Sequence, residues 1–399
     1  MYRLEMKRLA KSRGVISATI VAFILSVILG FAVIMLMIVY NVLPMVGKSS
    51  ESTALKGYDA IEYLRSQREL IAGDYTSDKI AELERHFKAG VLTDSAPEDV
   101  AIVEPALKLF SKIDRVVDTE QVKRSDYFEA RKEYISQSKE WQGPTVGETI
   151  LALDLSATEP FRYEFGIGDS NAEAYICICQ FIIALISAGI ASSAFSQGYS
   201  TGADDIMRCA KYGRGKFAKV KMLGALSYSV GLYLLCCGVF TVIVFSAFGF
   251  DDSAAQFKGA FNYDYTMVLG RITSNGYYAL CALAGLLSTI AVTAFALWVS
   301  ATTKSKVAAF AISCAMVMLP IFCISVFDST RWGVWPENLL PSSGISVLTG
   351  MWMQLCSGRF LTIGSLAIWT PFAMLAAPVI ETPVFALLAK RAYVRHECA

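Results

Sequence analysis

QGYSTGADDIMRCAKYGRGKFAKVKM, residues 197–222, is a polar and basic stretch that separates two long apolar runs. Six of its residues are Lys or Arg, and only Asp204 and Asp205 oppose them. Loops on the cytoplasmic side of a membrane carry an excess of Lys and Arg. The composition therefore predicts that this stretch is a cytoplasmic loop between two membrane-spanning helices, and we call residues 196–222 the basic loop.

The composition of the whole chain indicates a polytopic membrane protein. Of its 399 residues 54% are apolar, and these are gathered in blocks. Blocks of about 20 apolar residues are long enough to span a bilayer. Six such blocks cover residues 15–40, 174–194, 224–250, 277–301, 307–327 and 361–389. We predict an all-α polytopic membrane protein with six transmembrane helices, multi-pass in the cell membrane, with both termini cytoplasmic.

Charge separates the chain into parts on opposite sides of the membrane. Residues 44–173 contain 25 acidic and 16 basic residues, a net charge of −9, so the rest of the chain carries +10. Apolar residues here recur at helical spacing, as at Ile80, Leu83 and Phe87. We predict a helical exoplasmic domain over residues 44–173, between a first transmembrane segment in 1–43 and five further helices in 174–399. The apolar residues from Val100 to Val117 fit a helical hairpin, a short coiled-coil seam or ordinary amphipathic packing.

Five basic residues precede the first apolar run. That run is too long for a signal peptide and lacks its cleavage site, so we predict an uncleaved first helix. Residues 2–12 permit either a short interfacial helix or a solvated basic flank. Residues 328–360 are polar but contain Trp332, Trp335 and Trp352, which predicts an interfacial or re-entrant segment on the outer face.

Sequence motifs for catalysis are missing from the chain. The string most similar to a phosphate-binding loop, Gly213-Arg214-Gly215-Lys216-Phe217, lacks the first glycine spacing and the hydroxyl after the lysine. No nucleophile elbow or zinc-protease motif occurs, and the two histidines, His86 and His396, are far apart. We predict a protein that is not an enzyme, with no metal site, no cofactor of its own and no nucleic-acid partner.

Glu381 is the ionisable residue that falls inside a predicted span, between Pro378 and Pro383. Three roles fit it: it lines a polar crevice, it caps a broken helix, or it makes a structural hydrogen bond to backbone carbonyls freed by the prolines. In the third span Gly224, Gly231 and Gly238 recur every seven residues, so they share one helix face. Small residues on one face predict a close helix–helix contact.

Local signals within the basic loop predict a short helix. Serine, threonine and glycine at 196–202 end the preceding span, and Asp204 and Asp205 fit the first turn of the next helix, where acids favour the dipole. Gly213 would follow its end. A plain loop, basic only because it lies inside the cell, is the alternative.

The ordered combination of these features resembles the permease subunits of bacterial type-2 ATP-binding-cassette exporters. The shared features are six spans, a basic N-terminal segment, a large insertion after the first span and a loop of the form F-S-x-x-Y-x-x-G followed by K-Y-G-R-x-K. The matching residues in this chain are Phe195, Ser196, Tyr199 and Gly202 at the helix end, Lys211, Tyr212, Gly213, Arg214 and Lys216 after the coupling helix, and residues 338–341 (NLLP) in the outer re-entrant segment.

This resemblance implies a function. In that family the loop forms a coupling helix that docks on a separate ATPase subunit, which holds ATP and Mg²⁺, and the permease pairs with a second permease as a dimer. It implies export of an amphipathic peptide, a lipid or another hydrophobic substrate. The residues expected to couple to the ATPase are Gly202, Asp204, Asp205, Lys211, Tyr212, Gly213, Arg214 and Lys216.

Two other interpretations remain open at the level of sequence. One is a membrane sensor or scaffold whose exoplasmic helical domain binds an extracellular ligand without transport. The other is a permease of the cell-division or lipoprotein-release type, which predicts four spans rather than six.

Overall fold

The computed structural model describes residues 1–41, 53–69, 72–76, 78–79, 161–209, 213–250, 272–327, 334–356 and 359–395. Within these residues lie twelve α-helices, numbered in chain order: α1 Tyr2–Lys11, α2 Arg13–Met35, α3 Tyr58–Glu69, α4 Ala172–Ser192, α5 Ser196–Thr201, α6 Ala203–Cys209, α7 Gly215–Phe248, α8 Ser274–Thr302, α9 Lys306–Phe327, α10 Val334–Leu339, α11 Met351–Gln354 and α12 Thr370–Arg395. Three antiparallel strand pairs accompany them: β1 Ile38–Asn41 with β2 Thr53–Lys56, β3 Gly73–Tyr75 with β4 Phe161–Tyr163, and β5 Phe360–Ile363 with β6 Leu366–Trp369.

Six of the helices, α2, α4, α7, α8, α9 and α12, are long and apolar enough to cross a membrane. The predicted six spans are therefore confirmed, and they mark a membrane-embedded protein. The cell-division or lipoprotein-release interpretation predicts four spans, so it does not fit these six helices. Residues 2–11 form a separate helix that packs on α7, so the helical alternative for the N-terminal segment is confirmed.

Helix α8 is the centre of the bundle, because α4, α7, α9 and α12 all pack on it. Its buried side chains are mostly small, as at Ala284, Ser288 and Ala291, which lets neighbouring backbones approach closely. The long side chain of Gln180 is accommodated beside Gly285, where an added Cβ would overlap its amide. Gln180 Nε2 donates hydrogen bonds to Tyr233 Oη at 2.9 Å and to the Cys281 carbonyl at 3.2 Å.

Residues 334–354 form a re-entrant segment made of α10, a 3₁₀ turn over Ser343–Ile345, and α11. The Ser342 hydroxyl donates to the carbonyl of Met316 at 2.7 Å, and a Cβ at Gly344 would lie 2.7 Å from the Ser288 hydroxyl. Met316 and Ser288 lie near the middle of α9 and α8, about 15 and 21 Å from the starts of those helices at 1.5 Å per residue. The segment therefore reaches the middle of the bundle, which supports the re-entrant prediction over the interfacial one.

A buried polar network holds the return of this segment. Arg359 Nη1 donates to both carboxylate oxygens of Glu337, at 3.3 and 3.2 Å, and Gln354 Nε2 donates to Glu337 Oε1 at 3.1 Å. The hydroxyl of Thr370, the first residue of α12, donates to Gln354 Oε1 at 2.8 Å. Paired and hydrogen-bonded in this way, the buried Glu337 is tolerated beside the apolar bundle.

The last span differs from its predicted bounds of 361–389. Residues Phe360–Ile363 and Leu366–Trp369 form a β-hairpin whose turn contains Gly364 in the left-handed region at φ 60°. Hydropathy cannot separate an apolar hairpin from an apolar helix, so a prediction from hydropathy joins the two. The helix starts at Thr370 with Pro371 in its first turn, a position that proline favours.

The third span also differs, since α7 begins nine residues before the predicted start at residue 224. The predicted start lies after Lys216, Lys219 and Lys221 because these residues are not apolar. Lysine is nevertheless a good helix former. The helix therefore continues past the apolar run into the basic loop.

Only part of residues 44–173 is described. Helix α3 lies in this segment, whereas its residues 53–56, 73–75 and 161–163 form strands β2, β3 and β4. Arg65 Nη2 in α3 donates to the carbonyls of Ala247 and Phe248, both at 3.2 Å, so α3 binds the last carbonyls of α7. The predicted helical pattern at Ile80, Leu83 and Phe87 and from Val100 to Val117 lies outside the described residues, and the exoplasmic position of the segment stays a prediction.

Candidate functional site

The candidate site is the end of the bundle where α4, α8 and α12 stop and α7 starts, and we call it the basic end. The basic loop folds here as α5, a left-handed turn at Gly202 with φ 68°, and α6. Hydroxyls within the loop close its turns, since Ser196 Oγ donates to the Ser192 carbonyl at 2.6 Å and Thr201 Oγ1 to that of Gln197 at 2.9 Å. The predicted short helix is therefore confirmed, over Ala203–Cys209.

The first attachment of the loop joins α6 to α12. Tyr393 Oη donates a hydrogen bond to Asp204 Oδ1 at 2.7 Å and lies 3.4 Å from the carbonyl oxygen of Gly213. Asp204 is only 4% exposed, and its buried carboxylate accepts this short bond. The ring of Tyr393 packs on Phe195 with ring centroids 4.8 Å apart. Asp204 thus ties the start of α6 to the end of the last span.

The second attachment joins the loop to α8. Ser300 Oγ accepts hydrogen bonds from the backbone N–H groups of Phe195 and Ser196, at 3.0 and 3.1 Å. Tyr199 Oη donates to the Ala301 carbonyl at 3.2 Å. These bonds give partners to two N–H groups of the turn between α4 and α5 and to a carbonyl group in the last turn of α8.

The third attachment is made by Lys221, which lies on α7. Its ammonium group donates to the Ala194 carbonyl at 2.6 Å and lies 4.8 Å from the ring centroid of Phe217 and 5.5 Å from that of Phe195. A cation over aromatic faces is attracted by their quadrupoles. The base of the loop is therefore fixed to α7, α8 and α12 together.

The tip of the loop, in contrast, is apolar and open. Ile206 in α6 is 78% exposed and Met207 is 38% exposed, and Cys209 is also exposed. The side chains of Arg214, Lys216 and Lys219 are exposed on the chain that follows. The loop therefore has an apolar tip with cations beside it, and a base held by buried hydrogen bonds.

The structure brings some of the predicted coupling residues together. Asp204 and Gly213 contact Tyr393 in the attached base, Gly202 forms the exposed turn between α5 and α6, and Arg214 and Lys216 are exposed. Lys211 and Tyr212 lie outside the described residues, as does the side chain of Asp205. Tyr393, Ser300, Lys221 and Ile206 belong to the site as well, although no role was predicted for them from the sequence. Ile206 and Met207, apolar between Asp205 and Arg208 in a polar loop, were a usable signal, whereas Tyr393 carried none because it lies 189 residues from Asp204.

The other predicted site residues lie away from the basic end. Glu381 sits in a continuous α12, about 18 Å along the helix from Tyr393 at 1.5 Å per residue. Its Oε2 is buried and has no hydrogen-bond partner among the described residues. Gly224 packs against Glu5 of α1, where an added Cβ would lie 2.9 Å from Glu5 Cγ.

The predicted glycine contact is only partly present within this chain. Gly231 and Gly238 face open space, with no described atom within 4 Å of an added Cβ. Helix α1 has ten residues and covers only the first glycine of the face. Among the described residues no cluster of three or more His, Cys, Asp or Glu side chains is placed to hold a metal ion.

We expect Tyr393→Phe to loosen α6 without unfolding the bundle. The ring packing is kept, but the Asp204 carboxylate loses a hydrogen bond of the charged kind, worth about 1.5–3 kcal/mol. Amide hydrogen exchange over residues 203–209, followed by mass spectrometry on the full chain, should speed up by about tenfold or more.

Tyr228→Phe is the matched control, since its hydroxyl bonds Thr19 far from the loop. Exchange over residues 203–209 should stay at the wild-type rate in that variant. Equal exchange in Tyr393→Phe and wild type would contradict the attachment.

Comparison with known protein families and with curated proteins gave no match to this chain.

Proposed function

We propose that this chain is the permease subunit of an ATP-driven exporter of the type-2 ATP-binding-cassette kind, and that a separate ATPase subunit docks on the basic loop. The observation that carries the proposal is Ile206, a large apolar side chain 78% exposed at the tip of a loop whose base is fixed to three spans. An exposed apolar tip with polar groups around it is typical of a surface that a partner covers.

The attachments of the loop give it a mechanical role in this proposal. A force applied to α6 passes through Asp204 and Tyr393 to α12, and through Phe195 and Ser300 to α8. Because α8 packs on four other spans, a displacement of the loop reaches most of the bundle. ATP-driven closure of the partner would therefore move spans rather than a flexible loop alone.

The exposed cations give the docking surface a preference in charge. Arg214, Lys216 and Lys219 follow the apolar tip, so a partner groove with an apolar floor and an acidic rim fits it. Rim charges of this kind act mainly on the rate of association and on specificity.

The substrate path would lie between this chain and a second permease subunit. Only 22% of the apolar part of α12 is buried, the lowest share among the six spans. Much of its surface is therefore open to a second subunit or to lipid. Glu381 lies on this helix and would give a path there one acidic group. An otherwise apolar path suits an amphipathic peptide, a lipid or another hydrophobic substrate.

The orientation follows from the same proposal. With the basic end in the cytoplasm, both termini are cytoplasmic and residues 44–173 are exoplasmic, in accord with the positive-inside rule. The insertion would then cover or extend the outer mouth of the path.

Purification of the tagged full-length chain from its own membranes in a mild detergent tests the proposal. We expect an ATP-binding-cassette ATPase, identified by mass spectrometry, to co-purify in a fixed ratio and to hydrolyse Mg²⁺-ATP in the complex. A chain that purifies without any ATPase, while residues 44–173 bind an extracellular ligand, would overturn the proposal and favour the sensor or scaffold.

A further inference from the structure

A cavity of about 300 Å³ lies between α1, α2 and α7. Helices α1 and α2 are separated by Ser12, whose extended backbone (φ −71°, ψ 118°) turns α1 away from α2, so the two helices form two walls and α7 forms the third. Its volume is at the lower end for ligand pockets, which are about 300–1,000 Å³. The lining residues are Met6, Leu9, Ala10, Val15, Ile16, Thr19, Ile20 and Tyr228.

The two hydroxyls in this lining are already used within the protein. Thr19 Oγ1 donates to the Val15 carbonyl at 2.8 Å and lies 2.7 Å from Tyr228 Oη. Since the threonine proton goes to Val15, Tyr228 donates to Thr19. The wall therefore offers hydrocarbon to a ligand, and an apolar ligand suits it.

The cavity opens on the surface of a membrane span. Ile16 and Ile20 of α2, which form part of its wall, are 42% and 52% exposed. In a spanning helix such exposed apolar side chains face the acyl chains of the bilayer. The accessible apolar ligand is thus an acyl chain.

Cations border the same cavity. Arg3 and Lys7 fall at three- and four-residue spacing with Met6 and Ala10, so all four share one side of α1. Lys11 and Arg13 stand on either side of the turn at Ser12. These four basic side chains are exposed, and the described residues give them no ion pair, whereas Arg8 pairs with Glu5 at 2.6 Å. An anionic group next to the cavity would complement them.

We propose that this cavity binds one acyl chain of an anionic glycerophospholipid, whose headgroup phosphate contacts Arg3 and Lys7. The site uses the amphipathic α1 as its polar border and α2 and α7 as its apolar walls. It is independent of the ATPase and of the transported substrate.

Native mass spectrometry of the full-length chain in detergent tests this site, with dioleoylphosphatidylglycerol and dioleoylphosphatidylcholine as the probes. The wild-type chain should retain the anionic lipid in preference, by about tenfold in affinity. Ala10→Trp fills the cavity and should lower anionic-lipid binding by about tenfold. Ala311→Trp, at an exposed position on α9, is the matched control and should bind as wild type does.

A second pair of variants tests the charges. Arg3→Ser with Lys7→Ser should bring the two lipids to equal affinity, whereas Lys304→Ser with Lys306→Ser, which removes two exposed cations near the start of α9, should keep the preference. Where Ala10→Trp does not fold, Ala10→Leu takes its place with the same expected direction.

Three results would overturn the proposal. They are equal binding of the two lipids by the wild-type chain, anionic-lipid binding by Ala10→Trp at the wild-type level, and loss of the bound lipid on addition of inorganic phosphate. The last would indicate a site for free phosphate at Arg3 and Lys7 without an acyl chain in the cavity.

Discussion

Replacing Ile206 with Asp is expected to release the proposed ATPase subunit from the purified complex. Burial of an isoleucine side chain stabilises a contact by about 1.5–3 kcal/mol, and an aspartate at that place would lose this term and be desolvated as well. A loss of about 2 kcal/mol already lowers the affinity roughly 30-fold. The side chain is 78% exposed in the isolated chain, so its own folding should change by no more than about 0.5 kcal/mol.

The measurement is the amount of ATPase retained per permease after affinity purification, together with the thermal midpoint of the chain alone. Leu366→Asp is the matched control, because Leu366 is an aliphatic side chain 56% exposed in the β-hairpin at the other end of the bundle. It should retain the ATPase. Full retention of the ATPase by Ile206→Asp would show that α6 is not part of the interface. The ATPase would then bind through another surface.

Gly344→Val is expected to destabilise the folded chain strongly. Its Cβ would lie 2.7 Å from Ser288 Oγ and 3.1 Å from the Ala284 carbonyl oxygen, both on α8. Helix α8 is held by four other spans, so the strain falls on the re-entrant segment. Overpacking costs about 1–3 kcal/mol, and about 3 kcal/mol corresponds to a thermal midpoint lower by roughly 6–12 °C.

Gly231→Val provides the comparison for the thermal measurement. Gly231 lies in α7 with no described atom within 4 Å of an added Cβ, and glycine itself costs a helix about 0.5–1 kcal/mol. Its thermal midpoint should stay near the wild-type value. Equal midpoints for Gly344→Val and the wild type would contradict the close packing of the segment on α8.

A double-mutant cycle can locate the clash at Gly344. Ser288→Ala removes the atom that the new side chain meets first, so it should recover part of the stability lost in Gly344→Ala.

The six spans were predictable because their signal is local: about 20 apolar residues in a row are sufficient. The turn at Gly202 and the short helix after it were predictable for the same reason, from glycine, hydroxyl residues and two acids. The pairing of Asp204 with Tyr393 was not, since nothing near Tyr393 marks it as different from any other tyrosine near a helix end. Long-range pairs of this kind need the tertiary arrangement.

The largest errors in the prediction came from averaging apolar character over a window. The prediction joins residues 361–369 to the last span, whereas the structure has a hairpin there that turns at Gly364. The sequence of residues 328–360 left the interfacial and re-entrant alternatives open, and the depth of Glu337, Asn338 and Gln354 in the bundle favours the re-entrant one. Burial of these groups is possible because Glu337 pairs with Gln354 and Arg359, and Asn338 Nδ2 donates to the Val334 carbonyl.

The depth of the re-entrant segment bears on where a solute can pass. Gly344 and its neighbours fill the space beside the middle of α8 and α9, the place where a pore through a single bundle would need a column of water. The segment therefore closes the interior of the bundle at this depth. In the proposed exporter a solute would therefore travel along the outside of the bundle, in a seam between this chain and the second permease subunit.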